Sequence, residues 1–176
     1  VGGAYLGKPE ICESFFTEGA VNLDPKIACL YYAADRKYNI NQINELLNNG
    51  INVVLDRYTY SNMAHQGGKI ITQEERFQFF KKMEVLEFEL LELPKPDLVI
   101  LLYVSPKVKL KLLEARDEVS DQAESDIKYL RRSEQTYLEL RALYKFKMIE
   151  CTKLGNMRTI KEIHDELLEE VLKFLD

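Results

Sequence analysis

The chain has 176 residues, 24 Lys and Arg against 29 Asp and Glu for a net charge of −5, 46% hydrophobic residues, 8 Gly and 5 Pro. That apolar share at this length supports a packed core and excludes a disordered, collagen-like or linker chain. The acidic balance and scattered cations leave no footprint for a nucleic-acid backbone or an anionic membrane, though a small anionic ligand needs only a few placed cations.

In chain order, Asp24-Pro25 reads as an N-cap and first residue of a helix that stops at Asn48-Asn49-Gly50. Residues 51–55 (INVVL) follow as a short, β-branched and near-continuous apolar run, the pattern of a strand buried in a parallel sheet. Thr72 opens a helix with Glu75 three residues on, and Phe77, Phe80, Met83, Leu86 and Leu90 share one face. After Pro94-Lys95-Pro96 comes a second buried strand, 97–104, then a helix from Ser105-Pro106, a helix over 127–143, and a weaker strand at 146–151. The last helix carries Ile160, Ile163, Leu167, Val171 and Phe174 at helical spacing. Strand and helix alternate, so the expected fold class is α/β, a parallel sheet sandwiched by helices in a single domain over 1–176. In such sheets ligands bind beyond the carboxyl ends of the strands, which directs attention to the residues just after Leu55 and Val104.

Three cysteines, Cys12, Cys29 and Cys151, are widely spaced and form no CxxC pair, so disulfides and a zinc site are not expected. We read small buried thiols in a reducing, cytoplasmic setting. Residues 98–104 are too few to cross a bilayer, and no basic segment followed by an apolar stretch opens the chain, so a secreted or membrane-spanning protein is not expected.

The segment after the first strand, Asp56-Arg57-Tyr58-Thr59-Tyr60-Ser61-Asn62-Met63-Ala64-His65-Gln66-Gly67-Gly68-Lys69, is dense in hydrogen-bonding groups. An Asp-Arg pair at a strand end offers a carboxylate for a metal-bound water and a guanidinium fork for a phosphate. An amide such as Asn62 can read a donor and an acceptor on a base edge. A purely structural alternative is an Asp56–Arg57 ion pair with Ser61 and Asn62 capping a helix.

This stretch resembles the DRY or DRH, S-N and Q-G pattern of the thymidylate (dTMP) kinase family. Leu30-Tyr31-Tyr32-Ala33-Ala34-Asp35-Arg36 resembles that family's L-L-F-x-A-[DN]-R segment, and Leu93-Pro94-Lys95-Pro96-Asp97-Leu98-Val99 its L-P-x-P-D-L-x strand entry. The resemblance implies a P-loop nucleoside monophosphate kinase fold and transfer of the ATP γ-phosphoryl group to dTMP, giving dTDP and ADP with Mg²⁺. It implies that Tyr32 stacks on thymine, that Arg36 reaches a thymine carbonyl, and that Arg57 holds the phosphate. Asp56 would support Mg²⁺ through water, Ser61 and Asn62 would line the pyrimidine pocket, and Gln66 would lie near base or sugar. His65 stands where many relatives carry Tyr against the deoxyribose, which weakens any inference about 2′-hydroxyl discrimination. Tyr32 also reads as a core aromatic, and His65 as a plain surface residue.

Residues 116–125 match the family's lid over the ATP phosphates, with Arg116 as its catalytic arginine; a solvated acidic connection explains the stretch equally well. Arg131, Arg132 and His164 read as surface residues. Gly2-Gly3-Ala4-Tyr5-Leu6-Gly7-Lys8-Pro9 has the glycine and lysine spacing of a phosphate-binding loop, but Pro9 replaces its hydroxyl and lacks an amide. These residues instead match the family's G-G-x-x-L-G run after the second strand, so the phosphate loop is expected to lie outside this sequence, and with it the ATP contacts. The alternatives are a non-catalytic dTMP-binding remnant and a kinase for another nucleoside or nucleotide. The family is commonly homodimeric, and the aromatic-rich stretch 74–91 is a candidate interface, though an intramolecular face explains it as well.

Overall fold

The structure is a computed structural model and describes residues 23–114 and 127–175. The expected lid 116–125, with Arg116, and the glycine run 2–9 lie outside the described residues. The described residues fall into two compact units, one within residues 23–95 and 127–137, the other within 96–114 and 138–175.

In the first unit, Asp24 caps helix α1 (Pro25–Asn48): its carboxylate accepts the Lys26 amide at 2.8 Å, and Pro25 sits where a missing N–H leaves nothing unpaired. Gly50 ends the helix region at φ 72°, a left-handed turn that glycine adopts without strain. The buried edge of α1 is Ala28, Cys29, Ala33 and Ile40, mostly small residues that let α2 (Thr59–Gly67) approach closely. In α2 every residue except Ser61 and His65 is buried, so this nine-residue helix is a core element rather than an amphipathic surface one.

Helix α3 (Gln73–Glu84) starts as its sequence indicates, with the Thr72 hydroxyl accepting the Glu75 amide. Arg76 is buried and donates to the carbonyls of Ile70 and Ile71, tying the α2–α3 connection to the helix. Phe80 and Met83 turn inward as expected, but Leu90 is 72% exposed. The reason is a change of helical pitch: Val85–Leu90 is a π-helix, in which the Leu91 amide bonds the Leu86 carbonyl five residues back. The wider turn carries Leu90 off the stripe, which ends at the buried Glu87 four residues after Met83. Phe79 and Phe80 are buried within the unit, while Val85 and Leu90 are exposed.

Residues 51–55 depart from expectation. They carry no strand pairing among the described residues, and Val54 is 80% exposed. A β-branched run becomes a strand only where neighbouring backbone completes its ladder, and no described segment does so here.

In the second unit, β1 (Ile100–Tyr103) pairs in parallel with β2 (Lys147–Glu150), Ile100 opposite Lys147 and Tyr103 opposite Glu150. The strand expected over 97–104 is thus four residues long, and Leu102 is 48% exposed rather than buried, because the ladder has two strands among the described residues. Helix α4 (Pro106–Glu114) begins at Ser105-Pro106, the Ser105 carbonyl accepting from Val108 and Lys109. Helix α5 (Ile127–Tyr144) gives its residues up to Tyr137 to the first unit and the rest to the second. A hairpin unforeseen from the sequence follows β2: β3 (Thr152–Lys153) and β4 (Asn156–Met157) turn through Leu154 and Gly155, both at positive φ, as two-residue hairpin loops require. Helix α6 (Ile160–Leu175) packs on β2 with Ile163, Leu167 and Val171 half-buried, while Ile160 and Phe174 of the expected stripe are exposed.

The fold makes one glycine indispensable. A Cβ on Gly67 would lie 2.9 Å from both the Phe80 ring and the Thr136 methyl, two fully packed side chains. Gly67→Ala is expected to destabilise the protein by about 1–3 kcal/mol, the usual scale of overpacking, read as a lowered midpoint in urea. An unchanged midpoint would contradict this close approach.

Candidate functional site

Asp56 and Arg57 form an exposed bend immediately before α2. Arg57 is at φ 66°, a left-handed conformation that is strained for a non-glycine residue and that concentrates at functional positions. Among the described residues neither side chain has a hydrogen-bond or ion-pair partner, so the structural ion pair is not formed. Burial raises the pKa of the Tyr137 hydroxyl, its hydrogen bond with Ser61 opposes the rise, and the two charges of the bend act more weakly, Arg57 lowering and Asp56 raising it. Nor do Ser61 and Asn62 cap a helix: α2 starts at Thr59, and its N-cap, Tyr58, makes no side-chain cap bond.

From that bend, α2 presents two polar faces. Its outer pair, Ser61 and His65, meets α5: Ser61 Oγ lies 2.8 Å from the Tyr137 hydroxyl, and His65 Nδ1 lies 3.1 Å from the Tyr129 hydroxyl. The imidazole stacks on Tyr129 at 6.0 Å between centroids and meets Tyr137 edge-on at 5.8 Å. His65 is therefore no free surface residue. Tyr129 and Tyr137 were not singled out from the sequence, although Tyr129, Ser133 and Thr136 are buried at helical spacing and mark the face that receives α2.

The inner face holds Thr59, Asn62 and Gln66, one helical stripe. Asn62 is 6% exposed and Gln66 3%, yet among the described residues both polar atoms of the Asn62 amide, Gln66 Oε1 and Thr59 Oγ1 have no hydrogen-bond partner, and neither has the Tyr58 hydroxyl. Orphaned buried amides cost about 1–3 kcal/mol each and call for an explanation.

Helix α1 and the π segment supply the rest. Tyr32 is half-buried one turn before Arg36, so the two share a face of α1. Arg36 donates through Nε to Glu87 Oε2 at 2.9 Å and through Nη2 to Glu87 Oε1, a bidentate pair. Glu87 is completely buried and was missed in the sequence; its signal is an acid continuing the Phe80 and Met83 stripe. Cys29 lies among these groups. Burial pushes its thiol up to about 12, Glu87 adds to the rise, and Arg36, the Asn62 amide and Lys69 oppose it. Burial likewise raises the Tyr58 hydroxyl to about 12, with Arg36 opposing. A cation held in place, a nearby aromatic and unpaired amides can recognise a planar ring that carries both donors and acceptors.

Comparison with solved structures gives the thymidylate kinase from Candida albicans, 23% identical, with a TM-score of 0.65 over 95% of this chain and 76% of that one. The fold is therefore that of a nucleoside monophosphate kinase, an α/β class with a parallel sheet. A family model described as thymidylate kinase matches residues 11–166. A probable thymidylate kinase from Methanocaldococcus jannaschii is 31% identical over 152 residues, covering 85% of this chain and 69% of that protein. The thymidylate kinase of Dictyostelium discoideum is 29% identical, covering 86% and 60%. The chain belongs to the thymidylate kinase family, and it spans about two thirds of the length of these relatives.

The buried acidic groups dictate an alkaline limit. A thiol or phenol whose pKa is raised on folding keeps its proton in the folded state after the unfolded chain has lost it. The unfolded state then binds fewer protons, and stability falls with rising pH. For Cys29 the loss begins near pH 9 and runs to about 12, and for Tyr58 it begins near 10. The thermal midpoint is expected to drop steadily above pH 9, and less steeply in Cys29→Ala; equal slopes in the two proteins would remove Cys29 from the account.

Proposed function

We propose that the chain supplies the nucleoside monophosphate pocket of a thymidylate kinase, which transfers the γ-phosphoryl group of ATP to the 5′-phosphate of dTMP, yielding dTDP and ADP. The unpaired, buried Asn62 amide carries this reading: its donor and acceptor match the N–H and carbonyl edge of thymine. Tyr32 offers its ring face, Arg36 a donor to a base carbonyl, and Gln66 a further polar contact toward base or sugar. Ser61 and His65 act by fixing α2 against Tyr137 and Tyr129, which sets the depth of the pocket wall. Arg57, held exposed at the bend with no partner among the described residues, offers its fork to the phosphate.

Phosphoryl transfer relies on positioning and charge neutralisation rather than covalent catalysis. Among the described residues no three His, Cys, Asp or Glu side chains converge on a metal site. The exposed Asp56 carboxylate fits Mg²⁺ held mainly by water and phosphate oxygens, as that ion prefers, rather than by a protein cage. When bound, the ion neutralises charge on the transferring group. Arg116 completes this reading as a lid cation. ATP as donor, a homodimeric state and a cytoplasmic location belong to the same reading and rest on the family. Among the described residues no helix is long and apolar enough to cross a membrane.

Competition among dTMP, dUMP and dCMP in a coupled ADP-release assay tests the substrate; a preference for dCMP would refute the assignment. Binding of dTMP without ATP-dependent turnover would select the non-catalytic remnant instead. Asn62→Leu provides an orthogonal check. It removes an orphaned amide at nearly constant shape, so the free protein is expected to melt no lower than the parent while dTMP affinity falls about tenfold or more. A variant that binds dTMP normally would sink the role of Asn62.

A further inference from the structure

We propose that Glu87 is a positioning residue for base selection, orienting Arg36 so that the pocket accepts a pyrimidine with a carbonyl at ring position 4 and rejects one with an amino group there. The inference rests on the reading of Arg36 as a base contact and extends it to a residue on another element.

Arg36 side-chain exposure is 15% and that of Glu87 is zero, so the pair is held away from bulk water. The carboxylate engages the guanidinium side-on, occupying Nε and one Nη2 hydrogen. Two parallel bonds to one planar acceptor fix the rotation of the guanidinium plane, which a single bond would leave free. The Nη1 group makes no other hydrogen bond among the described residues. Every edge of a guanidinium is made only of donors, so what the pair sets is which edge faces a ligand and in what plane. A ring carbonyl completes such an edge, whereas a ring amino group would set donor against donor and leave both unpaired, which penalises the wrong ligand more than it rewards the right one.

The backbone gives the same indication. Glu87 lies four residues after Met83 and seven after Phe80, on the buried stripe of α3, and the π-helix at Val85–Leu90 carries Leu90 out of that stripe just beyond it. The Glu87 backbone carbonyl accepts the Leu93 amide, so the segment is anchored on both sides of the acid. Isolated π turns occur most often at functional sites. A fully buried carboxylate is also costly to retain for stability alone, since apolar residues of similar size commonly do as well.

The test is equilibrium binding of dTMP and dCMP to the full chain and to Glu87→Gln, Arg36→Gln and the double variant. Glu87→Gln replaces one acceptor oxygen with a donor nitrogen, which breaks the bidentate grip and frees the guanidinium to rotate. The dTMP:dCMP affinity ratio is expected to narrow about tenfold, on the scale of one misdirected hydrogen bond to a charged group. A general loss of packing weakens both ligands together and leaves the ratio in place, so the ratio separates positioning from structure. In the Arg36→Gln background, Glu87→Gln is expected to narrow it no further. If Glu87→Gln fails to fold, Glu87→Asp withdraws the carboxylate by one methylene and is expected to narrow the ratio likewise. A ratio unchanged in the Glu87 variants but narrowed by Arg36→Gln would overturn the proposal while sparing Arg36. A ratio unchanged in Arg36→Gln would overturn the reading of Arg36 itself, and this proposal with it.

Discussion

The site depends on how closely a short, almost fully buried helix can be approached. Gly67 and Gly68 let α2 lie against Phe80, Thr136 and the Ser133 backbone with no room for a Cβ to spare. That contact sinks the Thr59, Asn62 and Gln66 stripe into the interior, while Ser61 and His65 lock the opposite edge onto two tyrosines. A helix packed less tightly would leave those amides in water, where they would cost nothing and select nothing. Burial makes the stripe a source of instability, which hydrogen bonds from a ligand would relieve.

Two kinds of buried polarity meet at this helix and differ in how they are satisfied. Arg36 and Glu87 satisfy each other within the protein, so the cation is fixed before any ligand arrives. Among the described residues the Asn62 amide and Gln66 Oε1 have no hydrogen-bond partner, a capacity that a ligand of matching pattern would complete. Preorganised charge beside open hydrogen-bonding capacity suits differential binding, because only a ligand with the complementary pattern removes the penalty. Cys29, a small thiol kept protonated by burial, is fully buried and feels both systems, with Glu87 raising its pKa and Arg36 and the Asn62 amide lowering it.

The helices were legible because their signals are local. Asp24-Pro25, Thr72 with Glu75, and Ser105-Pro106 each satisfy orphan amides or supply a fixed φ within a few residues. The parallel pairing of the 97–104 and 146–151 segments was also foreseen in kind, although β1 and β2 are shorter than the apolar runs that contain them. Residues 51–55 show the limit: their composition is that of a strand, but a strand is a property of two segments, and no described segment pairs with this one. The π turn escaped notice for a related reason, since a stripe at 3.6-residue spacing assumes that the pitch never changes.

By itself, the sequence determined the family, through three separated motifs, and singled out the residue types on which the proposed pocket draws. Residue type and spacing suffice there because the chemistry of a carboxylate, a guanidinium or an amide is fixed by the side chain. Only the tertiary structure decided which of those groups are already engaged and which remain open. Arg36 is bound to a glutamate fifty-one positions away, His65 and Ser61 are held by tyrosines more than sixty positions on, and the Asn62 amide is left unpaired. Partner, depth and free valence are set by packing among distant segments, and no local pattern encodes them.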